Sequence, residues 1–499
     1  MQIMSGITAE RSDGRFGSFA IPRSVKILLG TMAAVFAGLW LIFHGRYNLV
    51  AGIIYLSLFF LIVYWNKPLS LVVVPAFAFL LGDLRRIMDF TGEIPTFDPL
   101  LLVSPIFSLI MVAPILMDLK LRDPVQKAML GLMVIMTLEI FNPIQGPLIV
   151  GFGGAMTYLI PICWFWLGWR YGSLQLLRRL IALLVALGVI AAMMGIIQTY
   201  IGYLPWQQAW LDKVGSHIHS MYLGAGVLRA VGFSVNGVEF MGLLSMSLVA
   251  SMALFIAGKR PYLLLVPLIA FGLFLSSSRT SILLSVFGMA IAWTVSSRNS
   301  RVWVPRLIFA LVIGLGALIF SVTHAASSED TGGDSKDNTA AGLSTQHQVQ
   351  GLAHPFDSKH STANLHGQML LGGLLDGFRN PIGRGLGSTF ATAKLGGDSS
   401  SAGSSEIDIS DMFLTTGLIG GLLYIFIIVV VAKRASYLIQ NVPQNIALPI
   451  AGILACTLGG WLMAGKYGEN TWLWLVIGIV CRFGSVTVPM KSATPSQAI

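Results

Sequence analysis

Residues 178–201 read RRLIALLVALGVIAAMMGIIQTYI: Arg178 and Arg179, then an apolar run that meets no strongly polar side chain until Gln198. A helix rises about 1.5 Å per residue, so a run of this length crosses the roughly 30 Å hydrocarbon core of a bilayer. The same ruler, moved along the chain in both directions, finds comparable runs at approximately 26–44, 48–65, 68–82, 99–117, 127–142 and 149–169 before it. After it come 236–257, 261–276, 280–296, 304–324, 408–431, 446–464 and 470–485. The expected fold is an all-α polytopic membrane protein with about 14 transmembrane helices (12–14).

Composition agrees. The chain is 55% hydrophobic and 11% charged over 499 residues, with a mean hydropathy of +0.77, whereas soluble domains carry about 25% charged residues. Its 32 basic and 22 acidic residues leave a net charge of +10. No basic run is interleaved with aromatic residues, so nucleic acid is excluded as a partner and the excess positive charge is read as loop orientation. Cys163, Cys456 and Cys481 all fall inside apolar runs and match no metal-ligand spacing, so they are expected to be inert. The polar stretch from Met1 to Ser24 precedes the first run without a small-residue cleavage site, which predicts a retained first span.

Placing the N-terminus in the cytoplasm puts 20 of the 32 basic residues in inside segments, among them Lys67, Arg170, Arg178, Arg179, Arg434 and Arg482. Residues 1–325 then hold spans one to about eleven, and residues 326–405 form one large extracytoplasmic loop before the last three spans. Residues 406–499 hold those spans and a cytoplasmic tail. Within the loop, 326–358 is rich in Ser, Gly, Asp and Thr and is expected to be mobile. A short amphipathic helix is expected near 361–378, with Leu365, Met369, Leu371, Leu374, Leu375 and Phe378 as its apolar stripe.

On this topology Arg46, Arg85, Arg86, Arg229, Arg279, Arg379 and Arg384 lie on the outer side, against the charge bias. Arg229 precedes a Gly-Phe turn at the mouth of a span, where a guanidinium suits bidentate binding of a diphosphate. Arg279 ends a hairpin of serines, and an arginine at membrane depth is costly without an anionic partner. Arg384 sits among three glycines in Asn380-Pro-Ile-Gly-Arg-Gly-Leu-Gly387, a turn whose backbone N–H groups are expected to approach an anion. Glu406, Asp408 and Asp411 bring three carboxylates into the next span from outside.

In order and spacing these pieces resemble the O-antigen ligase and O-antigen polymerase superfamily of bacterial envelope enzymes. The likeness rests on Arg229-Ala-x-Gly-Phe-x-x-Asn236, Ser276-x-Ser278-Arg279, the long outer loop ending in Asn380 to Gly387, and Gly417-Leu-Ile-Gly-Gly-Leu-Leu-Tyr424. Asn142-Pro143, with Gly151 to Tyr158, also matches, so the resemblance covers roughly residues 140–430. It implies a glycosyltransferase of the inner membrane that takes an undecaprenyl-diphosphate-linked glycan donor and a glycan acceptor at the outer face of the bilayer, with no metal and no other cofactor. Arg229, Arg279 and Arg384 would bind the diphosphate, Arg279 would also act in catalysis, and Glu406 or Asp408 would take the acceptor proton. Asn236, Asp411 and His366 are secondary candidates. Ligases of the family carry a His-Asn pair where this chain has Glu406 and Asp408, so polymerase chemistry is favoured over ligation. A chain-length regulator and a flippase are implied partners. Two other readings stand beside it: a transporter or flippase for a lipid-linked saccharide, and a polytopic glycosyltransferase of the type that carries metal-binding acids in its first outer loop. The first outer loop here, His44 to Tyr47, has no acid.

Overall fold

The structure, a computed structural model, describes residues 47–90, 98–214, 222–224, 227–297, 301–306 apart from 303, 339–353, 363–395 apart from 394, and 407–485 apart from 464. The expected span at 26–44, the one at 304–324 beyond Arg306, and the candidate base Glu406 lie outside the described residues.

Among the described residues, seven helices are long and apolar enough to cross a membrane. They are α1 (Tyr47–Trp65), α2 (Lys67–Phe90), Pro99–Met117, whose α-helical part is α3 (Val103–Met117), α5 (Leu148–Tyr171), α6 (Leu174–Tyr200), α8 (Gly237–Ile256) and α13 (Asp408–Asn441). Three shorter apolar helices lie beside them: Arg260–Leu275, whose α-helical part is α9 (Leu265–Leu275), α10 (Arg279–Val295) and α14 (Gln444–Cys456). Helices α4 (Pro124–Glu139), α7 (Pro205–Val214), α11 (Ala340–Ala353), α12 (Ala363–Arg379) and α15 (Tyr467–Phe483) are also formed, with one short turn of helix at Phe390–Ala393. The chain is a membrane protein, all-α among the described residues apart from one short antiparallel pair, β1 (Tyr222–Gly224) with β2 (Val227–Leu228).

Local chemistry sets the helix starts. Ser173 caps α6 by accepting from the Leu176 N–H at 3.0 Å, Asn236 caps α8 through the Glu239 N–H at 2.9 Å, and Asp123 with Gln126 forms a capping box at α4. The core is built round α15, where Trp472, Trp474 and Val476 are fully buried. It crosses α5 where glycine meets backbone on both sides. A Cβ on Gly168 would lie 2.1 Å from the Leu475 carbonyl oxygen, and one on Gly478 would lie 2.1 Å from that of Phe165. Leu58, Tyr64, Leu283 and Ile419 keep their side chains exposed, as helices do that face lipid.

Charged side chains that join elements gather at the two ends of the bundle. At one end Arg434 pairs with Asp123 at 2.8 Å, Arg482 donates to the Arg170 carbonyl at 2.9 Å, and Lys67 lies over the Tyr171 ring. These are residues assigned to the inside from charge. At the other end are Arg86, Arg229, Arg279 and the 380–387 turn.

Two expectations change. The last long span is not 408–431 but a 34-residue helix, α13, that continues through Lys433 and Arg434 because its polar tail keeps helical backbone beyond the apolar run. It bends at Gly417 (φ 68, ψ −166), a backbone conformation essentially restricted to glycine. The loop segment expected to be mobile contains α11, packed against α9, α10 and the β-pair. On α12 the helix contact is made by glycine, with Gly373 against Ser410 and Gly377 against Phe413, while Leu371, Leu375 and Phe378 are exposed.

Candidate functional site

Arg229 leaves β2 directly, and everything after it is held in place. The Val231 and Gly232 N–H groups both donate to the Gln198 Oε1, each at 2.9 Å. Gly232 (φ 55) brings the backbone so near the Phe240 ring that a Cβ there would lie 2.6 Å from it. The Tyr203 hydroxyl donates to the Arg229 carbonyl at 2.5 Å. Beneath this strap lies Arg86, 2% exposed, which donates from Nη2 to the Ser234 carbonyl at 2.8 Å and reaches the Gly232 and Val235 carbonyls at 3.5 Å. Its charge is balanced by Asp83 at 3.4 Å, which also accepts from Gln207 at 2.7 Å and from the Trp206 indole at 3.2 Å. Arg86 thus belongs to the scaffold. Its partners lie about 150 positions away in sequence, so only the doubled arginine, Arg85-Arg86, was visible beforehand. Arg85 pairs with Asp98, and Arg46 lies outside the described residues.

Arg279 is the first residue of α10. The hairpin before it is tight: Ser276 is fully buried and donates to the Leu273 carbonyl at 2.6 Å, and Ser278 caps α10. Ser277 has φ 60, the one positive-φ residue other than glycine among those described. Such a residue costs about 1–3 kcal/mol and persists where its surroundings enforce it, often at binding sites. The two arginines are within electrostatic reach. Burial first, and then the positive charge of Arg279, lower the pKa of Arg229 below the ordinary arginine range. Arg229 Nε is buried without a hydrogen-bond partner. A buried guanidinium donor left without an acceptor, beside a like charge, is a place where an anion is stabilised.

The glycine-rich turn belongs to a second cluster. Gly383 (φ 106) and Gly385 (φ 100) let it wedge between α4, the start of α5 and the bend of α13. The Arg384 N–H donates to the Leu414 carbonyl at 3.0 Å, the Leu386 N–H to that of Glu139 at 3.1 Å, and the Gly387 N–H to the Gln145 side chain at 2.8 Å. Asn142 bridges the Glu139 carboxylate at 2.7 Å and the Gly383 carbonyl at 3.1 Å. These amides donate within the protein, that of Gly385 to the Glu139 carboxylate, so the turn is a joint. Three of the five stretches that carried the resemblance, 142–158, 380–387 and 417–421, meet at it. The Arg384 side chain grips Asp376 through Nε at 2.7 Å and through Nη2, and this carboxylate raises its pKa above the ordinary arginine value.

The acids entering α13 are enclosed. Asp408 is fully buried, and its Oδ2 accepts from the Tyr424 hydroxyl at 2.5 Å, the Trp461 N–H at 2.7 Å and the Leu462 N–H at 3.3 Å. It ties α13 to the segment between α14 and α15. Asp411 is buried beside the Tyr158 hydroxyl at 3.4 Å, which shares a 2.7 Å hydrogen bond with Thr389. Asn236, besides capping α8, donates to the Gly465 carbonyl at 2.9 Å. His366 lies on α12. The structure therefore groups Arg229 with Arg279, seats Arg384 on Asp376, and uses Asn236 and Asp408 as braces. The chain matches no protein-family model and no curated protein sequence.

Proposed function

We propose that the chain is an inner-membrane glycosyltransferase of about fourteen spans that polymerises glycan units carried on undecaprenyl diphosphate, with the loop end of the bundle facing away from the cytoplasm. The observation that carries this reading is the pair Arg229 and Arg279, held near each other at one end of the bundle with Arg229 Nε buried and unpartnered. A diphosphate supplies the acceptor oxygen that the Arg229 donor lacks.

In the reaction the acceptor hydroxyl attacks the anomeric carbon of the donor, and the bond from that carbon to the diphosphate oxygen breaks. The lipid diphosphate departs with the bonding electrons. Charge grows on its oxygens as it leaves, and two fixed guanidinium groups stabilise that charge as it develops. The hydroxyl proton passes to a carboxylate. Glu406 or Asp408 takes it: Oδ2 of Asp408 is held by Tyr424, Trp461 and Leu462, while its Oδ1 is buried without a hydrogen-bond partner. Arg384 and Asp376, at the joint of α12 and α13, serve to hold the outer loop over the site.

The test is glycan chain length in a strain lacking the gene, complemented with wild type or Arg279→Ala. Polymerisation restored by wild type and lost with Arg279→Ala is expected. Unchanged polysaccharide together with lost movement of a lipid-linked saccharide across the membrane would overturn the enzyme reading in favour of a flippase.

A further inference from the structure

Helix α11 packs on both elements that bear the paired arginines: on β2, which ends one residue before Arg229, and on the α9–α10 hairpin that ends at Arg279. Its polar side chains serve the hairpin. The last carbonyls of a helix lack partners within it. At the end of α9 the Phe274 carbonyl accepts from Gln348 Nε2 at 3.1 Å, and the Leu275 carbonyl accepts from Ser344 Oγ at 3.5 Å. Gln348 is fully buried, and its bond to Phe274 settles which end of the amide is nitrogen. Its other end, Oε1, is buried with no donor.

Helix α11 and the strand end it packs on therefore carry orphans of opposite kind: one residue past β2, a donor on Arg229, and an acceptor on Gln348. A diphosphate ester offers acceptor oxygens only, so it satisfies the first and leaves the second. A sugar hydroxyl donates. We propose that Gln348 is a substrate-binding residue that accepts a hydrogen bond from a hydroxyl of the sugar attached to the diphosphate, with α11 as the roof of the pocket. This assignment rests on the diphosphate reading above.

The test is binding to the full-length protein in lipid nanodiscs, with undecaprenyl phosphate, undecaprenyl diphosphate, and undecaprenyl diphosphate bearing one N-acetylhexosamine as probes. One neutral hydrogen bond predicts that wild type binds the sugar-bearing lipid about three- to tenfold tighter than undecaprenyl diphosphate. Gln348→Leu, and Gln348→Met beside it to keep the volume, remove that advantage and leave undecaprenyl diphosphate binding unchanged. Ser344→Ala, which releases the other tether of α11, keeps the advantage; a merely structural role for Gln348 would move both variants alike. The assignment is overturned if wild type shows no preference for the sugar, or if the Gln348 variants weaken both diphosphate lipids equally or neither. Failure of the diphosphate reading looks different: wild type and Arg229→Ala then bind undecaprenyl diphosphate equally, and no better than undecaprenyl phosphate.

Discussion

Arg229, Arg279, Arg384 and Arg86 are four arginines at one end of the bundle, and their surroundings separate them into three roles. Arg384 is neutralised by Asp376, and Arg86 by Asp83 and three carbonyls. Arg229 has a buried donor with nothing to give it to and a like charge nearby. Removing one preorganised donor to a developing anion costs about a hundred- to a thousandfold in rate, so Arg279→Ala is expected to lose at least that order of polymerisation in proteoliposomes supplied with the lipid-linked donor. Lysine at 229 keeps the charge and loses the planar fork, so Arg229→Lys should fall about tenfold or more; full activity there would rule out bidentate diphosphate binding. For Arg86 the expected loss is stability first. Arg86→Met leaves the Asp83 carboxylate buried without its cation, at a cost of about 3–5 kcal/mol. This is read as a lowered thermal midpoint of the purified protein in detergent, with Asp83→Asn in the same protein recovering part of it. Much of this was legible in sequence only as position. Arg229 and Arg279 stood out because each broke the charge bias beside a span. The division of labour did not, because Asp408 meets Trp461 across 53 positions and Arg86 meets Ser234 across 148.

Elements show the opposite balance. Helices with a cap and a long apolar run, such as α6 behind Ser173 and α8 behind Asn236, were readable to within a few residues because the signals are local. The glycine-rich turn was readable as a turn but not in its partners, since no local rule says where a backbone N–H will find its acceptor. Its partners are Leu414, Glu139 and Gln145, on three separate elements. Helix α11 was missed altogether: its Ser, Thr, Gln and Gly residues carry little helical periodicity, and its stability comes from packing on α9 and α10. The bend of α13 gives the test at this scale. A Cβ on Gly417 would lie 2.2 Å from the Pro381 carbonyl oxygen, at a φ of 68 that side chains rarely adopt. Gly417→Ala is expected to destabilise by about 3 kcal/mol or more, combining backbone strain with displacement of the turn. Gly372→Ala, on the exposed face of α12 with open space around it, should leave the melting temperature unchanged or raise it slightly. Equal effects from the two substitutions would mean that the joint does not hold the loop to α13.

For the whole molecule the decisive quantity is which end faces which side of the membrane. Lys67, Arg170, Arg434 and Arg482 gather at one end and make structural contacts there: an ion pair with Asp123, donations to the Arg170 and Gly172 carbonyls, and a cation over Tyr171. Cationic residues near short loops are retained on the cytoplasmic side during insertion, so that end should be cytoplasmic and Arg229 and Arg279 should lie on the outer side. The chain lends itself to a direct measurement, because Cys163, Cys456 and Cys481 are all buried and free, and contribute little background to thiol labelling. Lys213 on α7 and Ser436 near the end of α13 are exposed at the two opposite ends. In intact spheroplasts a membrane-impermeant maleimide is expected to label Lys213→Cys and to spare Ser436→Cys, which should become reactive only once the membrane is permeabilised. Ser436→Cys labelled first would turn the bundle over and place Arg229 and Arg279 in the cytoplasm. A diphosphate-linked glycan presented at the outer leaflet could not reach them there, and the polymerase reading would fall with the topology that supports it.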